Sequence, residues 1–303
     1  MLARCRAAAR RRSWLVRAVR VTYPALNWVR NRPAFYLRVA PYLATMEFDE
    51  VFLSGRGNEP EAHLRRTRRR RAVRGADVLV LGVGDGEELE LWRRERPRSL
   101  VAVDLSAHAR WRERPSVAFV RMDARRLAFD DDTFDIVAST ALLEHVDGVE
   151  EALEEMARVV RPDGLVFANF GPLYYTYGGA HYLGGFEHLW LNDDELAAYI
   201  ARRGIPYEER EASFYLRHGM FSRWTYRQYL DAFRRRFDLA HTIIHVSPRA
   251  LAFRRRNPEA WQALTGRFAE EDLLTFAATV WMRPKGAGAP AAGPGGRALV
   301  EAD

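Results

Sequence analysis

The sequence predicts an α/β fold, a largely parallel sheet covered by helices on both faces, and three observations predict it. Apolar runs of β type alternate with helical patterns between residues 77 and 170, as strand–helix–strand units require. The first run bends into its helix through "VLVLGVGDG" at 78–86, with glycines at 82, 84 and 86. Asp104 and Asp123 close the next two runs, and the carboxyl ends of strands are where open α/β sheets bind ligands.

Taken in order, "DVLVLGV" at 77–83 is the first strand, and a helix follows through "EELELWRRE". "SLVAVDL" at 99–105, "VAFVRMD" at 117–123, "FDIVAST" at 134–140 and "GLVFANF" at 164–170 supply four more strands. Ahead of the last of these, "VEEALEEMARVVRPDG" sets Leu153, Met156, Ala157 and Val160 on one helical face and stops at Pro162 and Gly164. The alternation then breaks at "GPLYYTYGGAHYLGGFEHLWL", 171–191, which is too irregular for a regular element and too aromatic for a linker. A helix over 193–203 opens on Asn192 as its cap. Another covers 224–236, and strands follow at "LAHTIIHV" and "LLTFAATVWMR".

Domain boundaries follow from composition. Residues 1–74 form a basic N-terminal helical extension, 75–284 the main domain with an acceptor-side insertion at about 171–236, and 285–303 a Gly/Ala/Pro tail read as disordered. With 303 residues, 48% of them hydrophobic, the chain is long enough to build a sizeable core. One cysteine, Cys5, excludes a disulfide framework and a Cys-based zinc site and suits a reducing cytoplasm.

The net charge of +7 raises a nucleic-acid reading. The basic residues are almost all arginine, with Lys285 the only lysine, a bias that points to genome composition rather than to a phosphate-binding surface. The charge is nevertheless asymmetric, since no acid precedes Glu47. Trp14, Leu15, Ala18, Val19 and Thr22 fall close to one helix face in this segment. Three readings stand for it: a helix packed on the main domain, a helix lying on an anionic membrane surface, or a stretch resembling a transit peptide. Arg17 and Arg20 interrupt it well short of the roughly 20 residues of a membrane span.

The candidate site gathers at the strand ends. Glycines 82, 84 and 86 let the backbone approach a ligand, and the G-x-G-x-G spacing departs from the G-x-G-x-x-G of dinucleotide sites. The acidic "GDGEE" at 84–88 suits a ligand with a cationic centre better than a pyrophosphate. Asp104 stands where a carboxylate accepts both ribose hydroxyls, Asp123 with Ala124 where one accepts from an adenine amine, and "STALLEH" at 139–145 floors the same crevice. The expected cofactor contacts are Gly82, Gly84, Asp85, Gly86, Asp104, Leu105, Asp123, Ala124 and Thr140.

These residues resemble the class I S-adenosylmethionine-dependent methyltransferases of the small-molecule, type 11-like kind, whose pattern is "VLDLGCGTG … DxS … D … FDxVxxxxxLEHV … ARVLKPGG". The matching segments are "VLVLGVGDG", "VAVDLS", "MDARRLAFDDDTFDIVASTALLEHV" and "MARVVRPDGLVFA", over about 77–170. The resemblance implies a Rossmann-like, seven-stranded, mostly parallel sheet whose last strand, "TFAATVWMR", is antiparallel, and it implies S-adenosyl-L-methionine as cofactor. It places the three glycines under the methionine portion, Asp104 at the ribose, and Asp123 with Ala124 at the adenine. The family's Asp in "VLDLG" is Val80 here. Its contact to the methionine amine is therefore lost or supplied elsewhere, with Asp85 and Glu87 as the candidates.

The expected reaction is methyl transfer to a small-molecule or lipid- or sugar-linked acceptor at oxygen, by a cytoplasmic enzyme with peripheral membrane contact through its basic start. Such a transfer needs alignment, exclusion of water and, for a hydroxyl, a general base. His145, His181 and His188 are the candidate bases, each weighed against a structural role. No further His or carboxylate stands at ligand spacing to them, so no metal is expected. Tyr174, Tyr175, Tyr177, Tyr182, Phe186 and Trp190 either line an acceptor pocket or build a satellite core under a long loop. The rival functions are an RNA methyltransferase, motivated by "RRTRRRR" at 65–71, and a non-catalytic S-adenosylmethionine-binding protein, motivated by Val80.

Overall fold

The computed structural model describes residues 46–53, 60–114, 116–208 and 212–286. The amphipathic basic segment with Cys5 and the tail from 287 onward lie outside the described residues. The elements are β1 (Glu50–Leu53), α1 (Pro60–Arg68), β2 (Asp77–Leu81), α2 (Leu89–Arg94), β3 (Ser99–Asp104), β4 (Ala118–Arg121), β5 (Phe134–Thr140), α3 (Val149–Val159) and β6 (Val160–Phe170). There follow α4 (Asp193–Arg203), α5 (Ala212–Arg217), α6 (Tyr226–Arg236), β7 (Phe237–Val246), α7 (Pro248–Arg256), α8 (Pro258–Thr265), α9 (Glu270–Leu274) and β8 (Thr275–Pro284).

One sheet runs β1-β7-β8-β6-β5-β2-β3-β4, and β8 alone among its described strands runs antiparallel to its neighbours. The Rossmann-like architecture is as the sequence predicts, with eight strands in place of seven. The additional strand is β1, paired in parallel with the edge of β7 from Glu50↔Ile243 to Leu53↔Val246. Its register is fixed by side chains as well: Glu50 accepts from His241 at 2.8 Å and from Arg66 at 3.2 Å.

Both faces of the sheet are covered, which is why its strands read as nearly continuous apolar runs. Val78 to Leu81 are all buried. Leu79 and Leu81 face α3, α6, α8 and α9, whereas Val78 and Val80 face α1 and α2 through Leu64, Leu89 and Trp92. Full burial of one such Val or Leu contributes roughly 1.5–3 kcal/mol.

Several element boundaries differ from the sequence reading. The buried stripe of α3 is Val149, Ala152, Leu153, Met156 and Val159, with Ala157 only half-buried. Val160 already belongs to β6, which passes through Pro162 and Gly164 rather than starting after them. The register shifts between Phe134 and Ile136 at this point. A Cβ on Gly164 would lie 2.6 Å from Val160 Cγ2 and 3.0 Å from the Asp135 carbonyl, so glycine permits this close approach. Three short helices, α7 to α9, fill the connection between β7 and β8, and Leu273 and Leu274 end α9 instead of opening β8.

The arginines of "RRTRRRR" bind the fold together. Arg68 pairs with Glu95 at 3.2 Å, Arg71 with Asp135 at 2.6 Å and Asp163 at 2.7 Å, and Arg70 lies 4.9 Å over the Trp281 ring. Thr67, within the same run, is fully buried and accepts the Trp281 indole N–H at 2.9 Å.

Candidate active site

The bend after β2 is shaped by its glycines. All three have positive φ, 73° at Gly82, 51° at Gly84 and 82° at Gly86. A Cβ on Gly82 would meet Leu142 at 2.9 Å and one on Gly86 would meet Phe119 at 3.1 Å, whereas one on Gly84 would meet nothing within 4 Å. Gly82 and Gly86 thus serve packing, and Gly84 opens onto space that a ligand can occupy. The Gly84 amide donates to Asp104 Oδ2 at 2.8 Å, and the Trp111 indole N–H donates to the Gly84 carbonyl at 2.8 Å. Trp111 in turn stacks on Phe119 at 4.8 Å.

The acids around this bend differ in what already holds them. Asp104, ending β3, also accepts from the Ser106 amide at 2.9 Å. Asp85 accepts from the Glu87 amide and pairs with Arg110 at 2.5 Å, and these two partners hold it below the usual carboxylate range. Asp123 is gripped by Arg125, 2.8 Å away, which likewise depresses it. Ala124 is buried beside it, and Leu105 stands 52% exposed at the mouth of the crevice. Glu87 is exposed.

Sequence reasoning missed Glu88. Its carboxylate accepts from the Thr140 hydroxyl at 3.3 Å, at the carboxyl end of β5. Burial pushes its pKa up, the hydrogen bonds of Thr140 and Trp92 oppose that rise, and the charge of Glu61 adds to it. The signal in the sequence is faint: an acid one residue before the apolar Leu89 of a helix whose Trp92 is buried.

On the acceptor side, His145 follows β5 in a single 3₁₀ turn, Leu143–His145. Its Nδ1 lies 3.1 Å from the Met220 carbonyl. Since a carbonyl only accepts, Nδ1 carries the proton and Nε2 carries the basic lone pair. Its ring lies 4.7 Å from His181, 4.1 Å from Tyr215 and 5.6 Å from Phe221. His145 and His181 are therefore brought together, while His188 is not part of their cluster.

His188 is buried, its Nε2 donates to the Tyr174 carbonyl at 2.6 Å, and its Nδ1 lies 3.3 Å from the Tyr182 hydroxyl. Burial lowers its pKa to about 4, and no face of the ring is open to an acceptor. The structure thus makes His188 a post inside the loop rather than a base. The aromatic segment follows the same pattern. Tyr174 and Tyr182 form a satellite core with Leu196, Ile200, Leu216 and Phe221, and Phe186 packs into the main core. Only Trp190 stands well exposed, at 45%, with Arg267 4.3 Å over its ring. A long loop must bury apolar surface of its own to stay ordered, and these rings supply it.

A glycine bend open at Gly84, tied to a carboxylate at the end of the next strand of a doubly covered, mostly parallel sheet, is the arrangement at which open α/β domains bind ligands. Residues 79–168 match the family described as "Methyltransferase domain". An uncharacterized methyltransferase of Mycobacterium avium is 30% identical over 207 residues, 65% of this chain and 73% of its own length. A phosphatidylethanolamine N-methyltransferase of Cereibacter sphaeroides is 37% identical over 119 residues, 36% of this chain. This chain spans 58% of that lipid enzyme's length. Among solved structures, an S-adenosylmethionine-dependent methyltransferase of Mesorhizobium loti aligns over 75% of this chain and 98% of its own, at 20% identity and a TM-score of 0.48. The chain belongs to the class I S-adenosylmethionine-dependent methyltransferase family.

The residues present fit that family's cofactor, S-adenosylmethionine. Gly84 faces open space that even a Cβ would begin to fill, and Asp104 beside it keeps acceptor capacity for hydroxyls.

Proposed function

We propose that this chain transfers the methyl group of S-adenosylmethionine to an oxygen of a small-molecule acceptor, free or linked to a lipid or sugar. The acceptor sits between the loop after β5 and the segment that follows β6. The observation that carries this reading is the fixed tautomer of His145, whose Nδ1–H donates to the Met220 carbonyl at 3.1 Å beside the rings of His181, Tyr215 and Phe221. When bound, the cofactor supplies an electrophilic methyl on a sulfonium.

The chain's own residues have three tasks. Gly84 and Asp104 position the nucleoside, the aromatic rings keep water out, and His145 Nε2 takes the proton of a hydroxyl acceptor. A positioned base of this kind accounts for about 10²- to 10⁴-fold in rate. The phosphatidylethanolamine N-methyltransferase relative, itself named for a lipid acceptor, supports keeping lipid-linked acceptors within the class.

An RNA substrate is disfavoured, because Arg66, Arg68 and Arg71 are paired with carboxylates of the same fold. No helix among the described residues is long and apolar enough to cross a membrane. Cytoplasmic location, with peripheral membrane contact, belongs to the same proposal. The test is incubation with S-adenosylmethionine and an extract of small metabolites and lipids, read by mass spectrometry for a gain of one methylene on an oxygen. His145→Gln is expected to cut turnover at least about a hundredfold with cofactor affinity unchanged. Full activity in that variant overturns the assignment of the base.

A further inference from the structure

Val80 and Ala138 are register partners on adjacent strands, and both side chains face α1 and α2. Thr140 is the next residue of β5 on that face, one step nearer the carboxyl edge. Its hydroxyl donates to Glu88 at 3.3 Å. The Glu88 carboxylate therefore sits in the corner above Val80, the position from which β2 itself presents no acid. It reaches that corner from the start of α2 instead.

The neighbouring acids do not compete for the role. Asp85 is neutralised by Arg110 at 2.5 Å, and Glu87 is exposed. Glu88 is different: among the described residues no guanidinium or ammonium pairs with it, and its partners are the Thr140 hydroxyl and the indole of Trp92. Glu88 is half-buried, and a carboxylate partly withdrawn from water without a cation is costly unless a ligand brings one. The open side of Gly84 lies four residues back along the same bend.

We infer that Glu88, seated by Thr140, binds the ammonium group of the cofactor's methionine portion and so replaces the acid missing at Val80. The assignment rests on S-adenosylmethionine being the cofactor. It makes Glu88 a binding residue that discriminates between nucleosides with and without an amino-acid tail.

The experiment compares three variants and two ligands by calorimetry, with thermal unfolding as a check on folding. S-adenosylhomocysteine carries the ammonium, and 5′-methylthioadenosine has the same nucleoside and thioether without it. For Glu88→Gln the expected result is a loss of about ten- to a hundredfold in affinity for S-adenosylhomocysteine, the scale of a charge-assisted hydrogen bond. Affinity for methylthioadenosine is expected to stay within about twofold. Glu88→Asp should recover part of the loss, and Thr140→Val should lose less than Glu88→Gln. Equal losses for both ligands, or none for either, overturn the role of Glu88. If the unaltered protein binds neither ligand, the cofactor assignment itself fails, an outcome separate from the other two.

Discussion

The Gly84 amide donates to Asp104 Oδ2 at 2.8 Å, so the bend after β2 is tied to the end of β3. Gly84 combines φ of 51° with open space where a Cβ would stand. A β-branched residue there bears a cost of roughly 1–2 kcal/mol for the left-handed backbone and fills the cradle as well. Gly84→Val is expected to retain its far-ultraviolet circular dichroism and lose at least about tenfold in affinity for S-adenosylhomocysteine. Asp104→Ala should weaken S-adenosylhomocysteine and methylthioadenosine alike, because it acts on the part the two ligands share. Unchanged binding in both variants would show that the ligand lies elsewhere.

What was legible follows from where each signal resides. β2, β3, β5 and β6 are buried on both faces, and their apolar runs announce them without any tertiary information. Asn192 likewise marked α4, and it closes a full capping box with Glu195. β1 was hidden because four residues carry no period of their own, and its place depends on Glu50 meeting His241 across 191 positions. α7 and α8 are short, yet Ser247-Pro248 and Asn257-Pro258 were readable starts, and the Ser247 hydroxyl does cap α7. At the site, glycines and strand-end acids were visible because spacing encodes them. Glu88 was not, and for Tyr174 and Tyr182 the sequence left pocket and satellite core open, since burial is settled by α1, α2 and α4 packing from elsewhere in the chain.

Asp272 is a buried acid at the start of α9. Burial pushes its pKa up to about 6, although it accepts the Tyr226 amide at 3.2 Å. Between its unfolded value of 3.8 and about 6, the folded state keeps a proton that the unfolded state releases. Its stabilising share is thus complete below the lower value and is lost as pH rises through the upper one. Asp272→Asn preserves the acceptor oxygen and removes the charge. The variant should gain about 3 kcal/mol at pH 7.5 and only about 0.5 kcal/mol at pH 4. Urea midpoints at the two pH values measure this, and equal shifts at both would refute it.

The opposite slope belongs to His63 in α1. Both ring nitrogens are buried without a hydrogen-bond partner among the described residues, and the ring lies 5.3 Å from Phe167 and 6.3 Å from Trp281. Burial, with help from the charge of Arg66, lowers its pKa from 6.5 to about 4. The unfolded chain binds the proton first, so stability is intact above pH 6.5 and is lost as pH falls toward 4. His63→Phe keeps the packing and removes both the orphaned nitrogens and the titration. Its advantage over the natural protein should grow by about 1 kcal/mol for each pH unit below 6.5. Thermal unfolding at pH 7.5 and 5 tests the trend, and parallel curves would contradict it.

His188 lies in the turn Glu187–Leu189 after β6, and His145, the base proposed above, lies in the turn Leu143–His145 after β5. The Nε2–H of His188 donates to the Tyr174 carbonyl at 2.6 Å, and its Nδ1 lies 3.3 Å from the Tyr182 hydroxyl, all of it buried. His188→Leu leaves the Tyr174 carbonyl without this donor in the satellite core, a loss of about 1–3 kcal/mol. The expected phenotype is a lower unfolding temperature with turnover per folded molecule unchanged. His145→Gln should show the reverse: its ring is only half-buried, so stability moves little while turnover collapses. If His188→Leu instead lowers turnover with its unfolding temperature intact, proton transfer runs through the buried histidine, and the supporting and catalytic roles of the two residues must be exchanged.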